Sequence, residues 1–245
     1  MSPDILFCLL LFIVAFLYAS IGHGGASGYL ALMALFSFSP EVMKPSALLL
    51  NLFVSLIAFI QYYRTGNFNW KVFIPFAVAS IPFAFWGGVL KIDPLLYKRM
   101  LGLILLIPAI RFILYKKHAE IIEKKQHAGI SFIIGGSIGF MSGLIGIGGG
   151  VILTPVLLLL KWCDMKKAAG ISALFIFVNS LSGMGGQLMK GVQFSSNILL
   201  YVGIAFTGGM VGSYLGSKKL NNTVLLYLLS LTLMMASYKL LFTAA

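Results

Sequence analysis

The sequence predicts an all-α integral membrane protein made of two inverted-topology repeats, each of five helical elements. Three observations predict it. First, hydrophobic residues are 60% of the chain and charged residues only 10%, with a mean hydropathy of +1.00. A soluble domain carries roughly a quarter charged residues, so this much apolar surface needs lipid. Second, apolar runs of roughly 17–22 residues recur between short charged loops, the length that crosses a bilayer as a helix. Strict period-two alternation, which a membrane barrel requires, is absent. Third, two glycine clusters inside apolar sequence, Gly22-His23-Gly24-Gly25 and Gly146-Ile147-Gly148-Gly149, stand 124 residues apart. The order of segments around each is the same: long, short, long, long, long.

The first half reads as segments 5–21, 26–38, 45–62, 71–90 and 95–115. Segment 5–21 follows Met1-Ser2-Pro3-Asp4, which lacks the basic start of a cleavable signal, so it is read as a first membrane element. Segment 26–38 is too short to cross a core of about 30 Å as a helix. It is predicted to form a helical hairpin with the segment before it, with the glycine turn inside the bilayer. Segment 45–62 carries Ser46, Asn51 and Ser55, of which Asn51 and Ser55 share a helical face. Segment 71–90 follows Trp70, which, with Tyr97 and Trp162, reads as an interfacial anchor.

A charged stretch at 115–128 divides the chain into a first transmembrane repeat at 1–114, a cytoplasmic linker, and a second repeat at 129–245. The second half reads as 129–145, 149–161, 168–189, 196–216 and 223–243. Segments 129–145 and 196–216 carry glycine at every fourth position, Gly135, Gly139 and Gly143, then Gly208, Gly212 and Gly216, the spacing that lets helices pack closely. Such faces also permit a homodimer. Segment 149–161 is the second short element; Thr154 and Pro155 are expected to open its helix, where threonine can cap or touch a ligand and proline costs no hydrogen bond. Segment 168–189 carries Ser172, Asn179, Ser180 and Ser182. A shift of 125 sets Ser55 on Ser180, Gly66 on Gly191 and Gly87 on Gly212.

Five elements per half is an odd number, so the second half enters from the opposite side. With the linker in the cytoplasm, the inside loops hold 12 of the 18 Lys and Arg residues, which by the positive-inside rule places both termini outside. The net charge of +12 therefore reports topology and contact with anionic lipid headgroups, not nucleic acid. Cys8 and Cys163 stand far apart with no histidine at metal-ligand spacing. Gly146-x-Gly148 has neither a preceding soluble strand nor a following acid, so no nucleotide is expected. No Walker lysine, zinc-helix motif or serine–histidine pair with an acid is present. The chain is read as a non-enzyme without cofactor or metal, multi-pass in the cell inner (cytoplasmic) membrane.

The candidate site follows from the glycine clusters. Consecutive glycines permit positive φ and close approach of a ligand to the backbone. The helix after each cluster starts with unsatisfied N–H groups and about half a positive charge. Two such N-termini meeting near the midplane attract a small anion without a lysine, and spans nearly free of acidic residues disfavour a cation path. The predicted lining is His23, Gly24, Gly25, Ser27, Gly148, Gly149, Gly150 and Thr154, with Asn51, Ser55, Asn179 and Ser180 behind it. His23 reads either as a structural hydrogen-bonder or, with an ordinary pKa of about 6.5, as a residue that couples anion and proton movement. The serines and asparagines read equally as interhelical hydrogen-bonders or as ligand contacts.

Gly143-Leu144-Ile145-Gly146-Ile147-Gly148-Gly149-Gly150, followed by Val151-Ile152-Leu153-Thr154-Pro155, resembles the second-half signature of the TauE/SafE family of sulfite exporters. Gly22-His23-Gly24-Gly25 resembles its first-half counterpart, and Lys167–Leu174 with Asn179–Gly183 resembles its polar third element. The likeness covers nearly the whole chain. His23 stands where an aliphatic residue is more usual, and Ile171-Ser172 where a Thr-Ser pair is expected. The resemblance implies a secondary transporter that exports sulfite or a related organosulfur anion, with a small oxyanion of the sulfite or sulfonate class as its partner. An uptake permease for a sulfonate or thiosulfate-like anion, an anion channel and a scaffold protein are the alternatives.

Overall fold

The computed structural model describes residues 3–91, 124–189 and 191–219, with scattered positions between 93 and 110 and between 227 and 238. Eight continuous helices lie in these residues: α1 (Pro3–Ser20), α2 (Ala26–Leu35), α3 (Pro40–Arg64), α4 (Trp70–Val89), α5 (Ala128–Ile145), α6 (Gly150–Leu159), α7 (Met165–Leu188) and α8 (Ile198–Lys218). No strand occurs among the described residues. The predicted elements at 95–115 and 223–243 are described only at those scattered positions, and most of the 115–128 linker and the predicted anchor Tyr97 lie outside the described residues.

Five helices, α3, α4, α5, α7 and α8, are long and apolar enough to cross a membrane. The remaining three are α1, counted by its apolar stretch Asp4–Ser20 as slightly shorter, and the ten-residue α2 and α6. At 1.5 Å per residue, ten residues reach about 15 Å, half of a bilayer core.

Glycine sets which helices lie together and in which direction. Gly135, Gly139 and Gly143 of α5 sit on the carbonyls of Phe76, Ser80 and Ala84 of α4, where a Cβ would come within 2.5 Å. Gly208, Gly212 and Gly216 of α8 sit likewise on the carbonyls of Phe12, Phe16 and Ser20 of α1. Numbers rise together in both pairs, so α4 runs parallel to α5 and α1 parallel to α8. Val89 and Ala128 thus lie at opposite ends of their pair. Helices α4 and α7 are also parallel: Ser182 Oγ donates to the Ile81 carbonyl and Gln187 Nε2 to that of Gly88. Helices α3 and α7 are antiparallel, with Leu48 against Gly183, Asn51 against Ser180, and Tyr62 against Gly170.

The loops rich in Lys and Arg share one end of this bundle. Asn67 meets Gly170, Gln126 Nε2 donates to the Val72 carbonyl, Lys124 N–H to Lys161, and Lys166 Nζ to Ser217. Arg64, Lys71, Lys161, Lys166, Lys167 and Lys218 therefore lie on the same side.

Both short helices end in the same motif. In α2, Phe38 N–H donates to Met33 and Ser37 N–H to Ala34, with Ser37 left-handed at φ 61°. In α6, Trp162 N–H donates to Leu157 and Lys161 N–H to Leu158, with Lys161 at φ 57°. Each is a Schellman closure, and each brings an aromatic residue back onto its helix. This corrects the expectation for Trp162. Trp162 is buried and packs on Phe76 with Leu157 nearby in the core, because the helix end folds it inward. Trp70 is half exposed, as an anchor would be. A second correction concerns Thr154 and Pro155. Left-handed Gly148 and Gly149 let α6 start at Gly150, so Thr154 and Pro155 sit more than a turn inside it.

Candidate functional site

The two glycine clusters build two similar turns. After α1, Gly22 (φ 75°) donates to the Ala19 carbonyl, His23 N–H donates to that of Tyr18, and Gly25 (φ 97°) caps the start of α2. After α5, Gly146 (φ 87°) donates to the Ser142 carbonyl, and Gly148 and Gly149 (φ 72° and 78°) lead into α6. An L-residue in a left-handed conformation costs about 1–2 kcal/mol, so the clusters are glycine for a backbone reason.

The turns meet. A Cβ on Gly24 would lie 2.5 Å from Asn51 Oδ1 and 2.8 Å from Ile176 Cγ2, and a Cβ on Gly148 would lie 2.6 Å from Asn51 Nδ2 and 2.8 Å from the same methyl. Asn51 stands midway along α3. It accepts the Ala26 N–H at 2.9 Å and donates to Ser180 Oγ at 3.3 Å, which ties the N-terminus of α2 to α7. A second tie joins the first turn to α6. His23 Nε2 lies 3.1 Å from Thr154 Oγ1, which lies 2.7 Å from Ser172 Oγ. His23, Asn51, Ser172 and Ser180 have no solvent-exposed surface. The backbone at Ile21 and Gly150 flanks the imidazole, yet Nδ1 makes no hydrogen bond.

The other predicted residues divide. Gly150 lies on Ile176, and Gly149 on Ile138 and Phe175. Asn179 Nδ2 donates to the Phe175 carbonyl of its own helix. Two hydroxyls are turned elsewhere: Ser27 Oγ donates to Tyr18 OH at 2.9 Å, and Ser55 Oγ to the Asn51 carbonyl at 2.5 Å. Three residues outside the predicted set enter the site. Ser172 holds Thr154; Ile176 separates the two turns; Lys44 packs on Gly146, its Cγ 2.9 Å from where a Cβ would be. The charge count leaves Lys44 among the six Lys and Arg residues assigned to the outside. It is buried within α3, because Pro40 starts that helix five residues earlier than the apolar run alone suggests. Ser172 carried a legible signal, its polarity in an apolar helix; Ile176 carried none.

Electrostatically the site is positive. The first N–H groups of α2 and α6 have no intrahelical acceptors, and both dipoles point their positive ends inward. The chain's six acidic residues, Asp4, Glu41, Asp93, Glu120, Glu123 and Asp164, all lie away from the two turns in sequence. Among the described residues no three His, Cys, Asp or Glu side chains gather as a metal site would require.

Comparison with known proteins bears on the family. The family model described as "Sulfite exporter TauE/SafE" matches residues 7–240. A relative from Sinorhizobium fredii, "Probable membrane transporter protein y4hK", is 36% identical over 94% of this chain and 95% of its own length. "Probable membrane transporter protein YdhB" of Bacillus subtilis is 27% identical over 88% and 90% of the two chains. "Probable membrane transporter protein MJ0441" of Methanocaldococcus jannaschii is 32% identical over 57% and 53%. No solved structure matches the chain.

Proposed function

Starting from the fact that this chain belongs to the sulfite exporter TauE/SafE family and is a multi-pass membrane transporter, we propose that it exports sulfite or a related organosulfur anion by alternating access. One observation carries the reading: two ten-residue helices begin at facing glycine turns, deep between long apolar helices, bridged by His23 and Thr154. Backbone N–H groups at those N-termini hold the oxyanion, and His23, Thr154, Asn51 and Ser180 orient it. Gly24, Gly25, Gly148, Gly149 and Gly150 let it reach the backbone; Ser27, Ser55 and Asn179 support the surrounding helices.

The two halves, 1–114 and 129–245, act as inverted repeats about this point, joined by the cytoplasmic linker 115–128. Several observations support that. Corresponding helices α3 and α7 run antiparallel, and α1 pairs with α8 as α5 pairs with α4. Left-handed Ser37 and Lys161 stand 124 residues apart, the same shift that aligns the glycine turns. The basic end of the bundle faces the cytoplasm by the positive-inside rule. Complete burial of His23, Asn51 and Ser180 fits an occluded carrier better than an open pore.

The test is radiolabelled sulfite flux in proteoliposomes, with thiosulfate and a sulfonate as companions. Gly149→Leu is expected to abolish it, because a side chain there meets both a positive φ and Ile138 at 2.7 Å. Undiminished flux in that variant would overturn the site; single-channel currents would overturn the carrier.

A further inference from the structure

Five buried side-chain polar atoms among the described residues have no hydrogen-bond partner: His23 Nδ1, Tyr29 OH, Ser46 Oγ, Ser142 Oγ and Asn179 Oδ1. A buried orphan of this kind is costly, so a group that keeps one is usually satisfied by something absent from the bare chain. Their distribution is informative. His23 is in the first glycine turn, and Asn179 lies beside Ser180, which touches the second. His23 and Asn179 belong to the site the sequence predicts; Tyr29 and Ser142 lie outside that set.

Each of these two hydroxyls belongs to one turn. Tyr29 is one helical turn into α2, and helical side chains slant toward the N-terminus. Its ring therefore reaches back over Gly25, and a Cβ on Gly25 would lie 2.6 Å from Tyr29 OH. Ser142 is in the last turn of α5. Its carbonyl is taken by Gly146 N–H, while its Cβ would lie 3.4 Å from a Cβ on Gly149. Gly25 and Gly149 are the caps of α2 and α6. Thus an unpaired hydroxyl, wholly buried, flanks the positive tip of each short helix.

We propose that Tyr29 and Ser142 are substrate-contacting residues, each donating its hydroxyl hydrogen to an oxygen of the bound sulfur oxyanion at its own helix tip. This rests on the anion-carrier reading and extends it. Asn179 Oδ1 is an acceptor, does not suit an anion's oxygen, and is left out. A hydroxyl serves better here than a lysine: it binds the oxyanion without holding it by a full charge that release must break. The two donors also differ in reach, phenol against a short hydroxymethyl, so the two helix tips present unlike contacts to one ligand.

The test uses full-length protein in detergent and in proteoliposomes, with sulfite, thiosulfate and methanesulfonate as probes. Wild type is scanned first for an anion-induced rise in Tm. Tyr29→Phe and Ser142→Ala each remove only an atom that bonds to nothing in the bare protein. Their anion-free Tm is expected to equal or exceed that of wild type. Their KM for the responding anion is expected to rise roughly tenfold or more, the worth of a hydrogen bond to a charged group. Ser213→Ala, which removes a buried hydroxyl already bonded to the Gly209 carbonyl, is the control and should leave KM unchanged. Anion-responsive wild type with unaltered KM in both variants would overturn this proposal alone. Wild type that responds to no probe would overturn the carrier reading with it.

Discussion

Gly22 and Gly66 have nearly the same backbone conformation, at φ 75° and 76°, and very different surroundings. A Cβ on Gly66 would meet nothing within 4 Å, whereas one on Gly22 would lie 2.5 Å from Ala169 Cβ and 2.7 Å from its carbonyl. The Gly66→Ala change should therefore cost only the conformational term, about 1–2 kcal/mol. Gly22→Ala should cost distinctly more, because helix α7 must move. Thermal unfolding of both variants in one detergent checks the order, and equal losses would remove α7 from the account of the first turn. At this same scale, Thr154→Val keeps shape but breaks the chain from His23 to Ser172, leaving buried groups unpaired. A loss of about 1–3 kcal/mol is expected, with recovery in Thr154→Ser. Glycine identity was legible in the sequence because it stands out against apolar neighbours. What each glycine presses on was not: Asn51 serves both turns from one side chain, and no spacing announces a contact shared across half the chain.

Helix ends show the same division at the scale of an element. The short elements were readable as short, since too few apolar residues follow each glycine cluster. Their C-termini were not. Apolar runs 26–38 and 149–161 continue past the helices, which stop at Leu35 and Leu159. Phe38 and Trp162 are apolar because the Schellman closure folds them into the core, and hydropathy alone counts them as helix. The same closure puts Ser37 and Lys161 in the left-handed region, where glycine is the unstrained choice. Ser37→Gly and Lys161→Gly are each predicted to raise stability by about 1 kcal/mol. A fall in Tm for both would mean that their side chains contribute more than the strain costs. The predicted start of α6 at Thr154 failed for a related reason. Proline was read as a first-turn residue, but the consecutive left-handed glycines start the helix earlier and carry Pro155 inside.

Orientation belongs to the whole molecule, and it can be argued from both sequence and packing. The charge count divides Lys and Arg unequally between the two faces, though without saying whether the loops on one face are neighbours. The contacts of Lys124 with Lys161, of Gln126 with Val72, and of Lys166 with Ser217 gather those loops at one end. Lys44 is the residue the count misplaced; removing it from the outside set strengthens the asymmetry, since it is buried beside Gly146. Single cysteines at Arg64, Lys124, Lys161 and Lys219, introduced with Cys8 replaced by serine, should therefore react with a membrane-impermeant maleimide only after permeabilisation. Cys163 is buried and should stay silent. A cysteine at Lys91, beyond the opposite end of α4, should react on intact cells. The two sets must behave oppositely, because α4 runs from the basic end to the other in a single apolar span. Labelling of Lys124→Cys from outside would invert the proposed orientation and leave the proposed anion seat between the two turns untouched, since that seat rests on packing and not on the charge count.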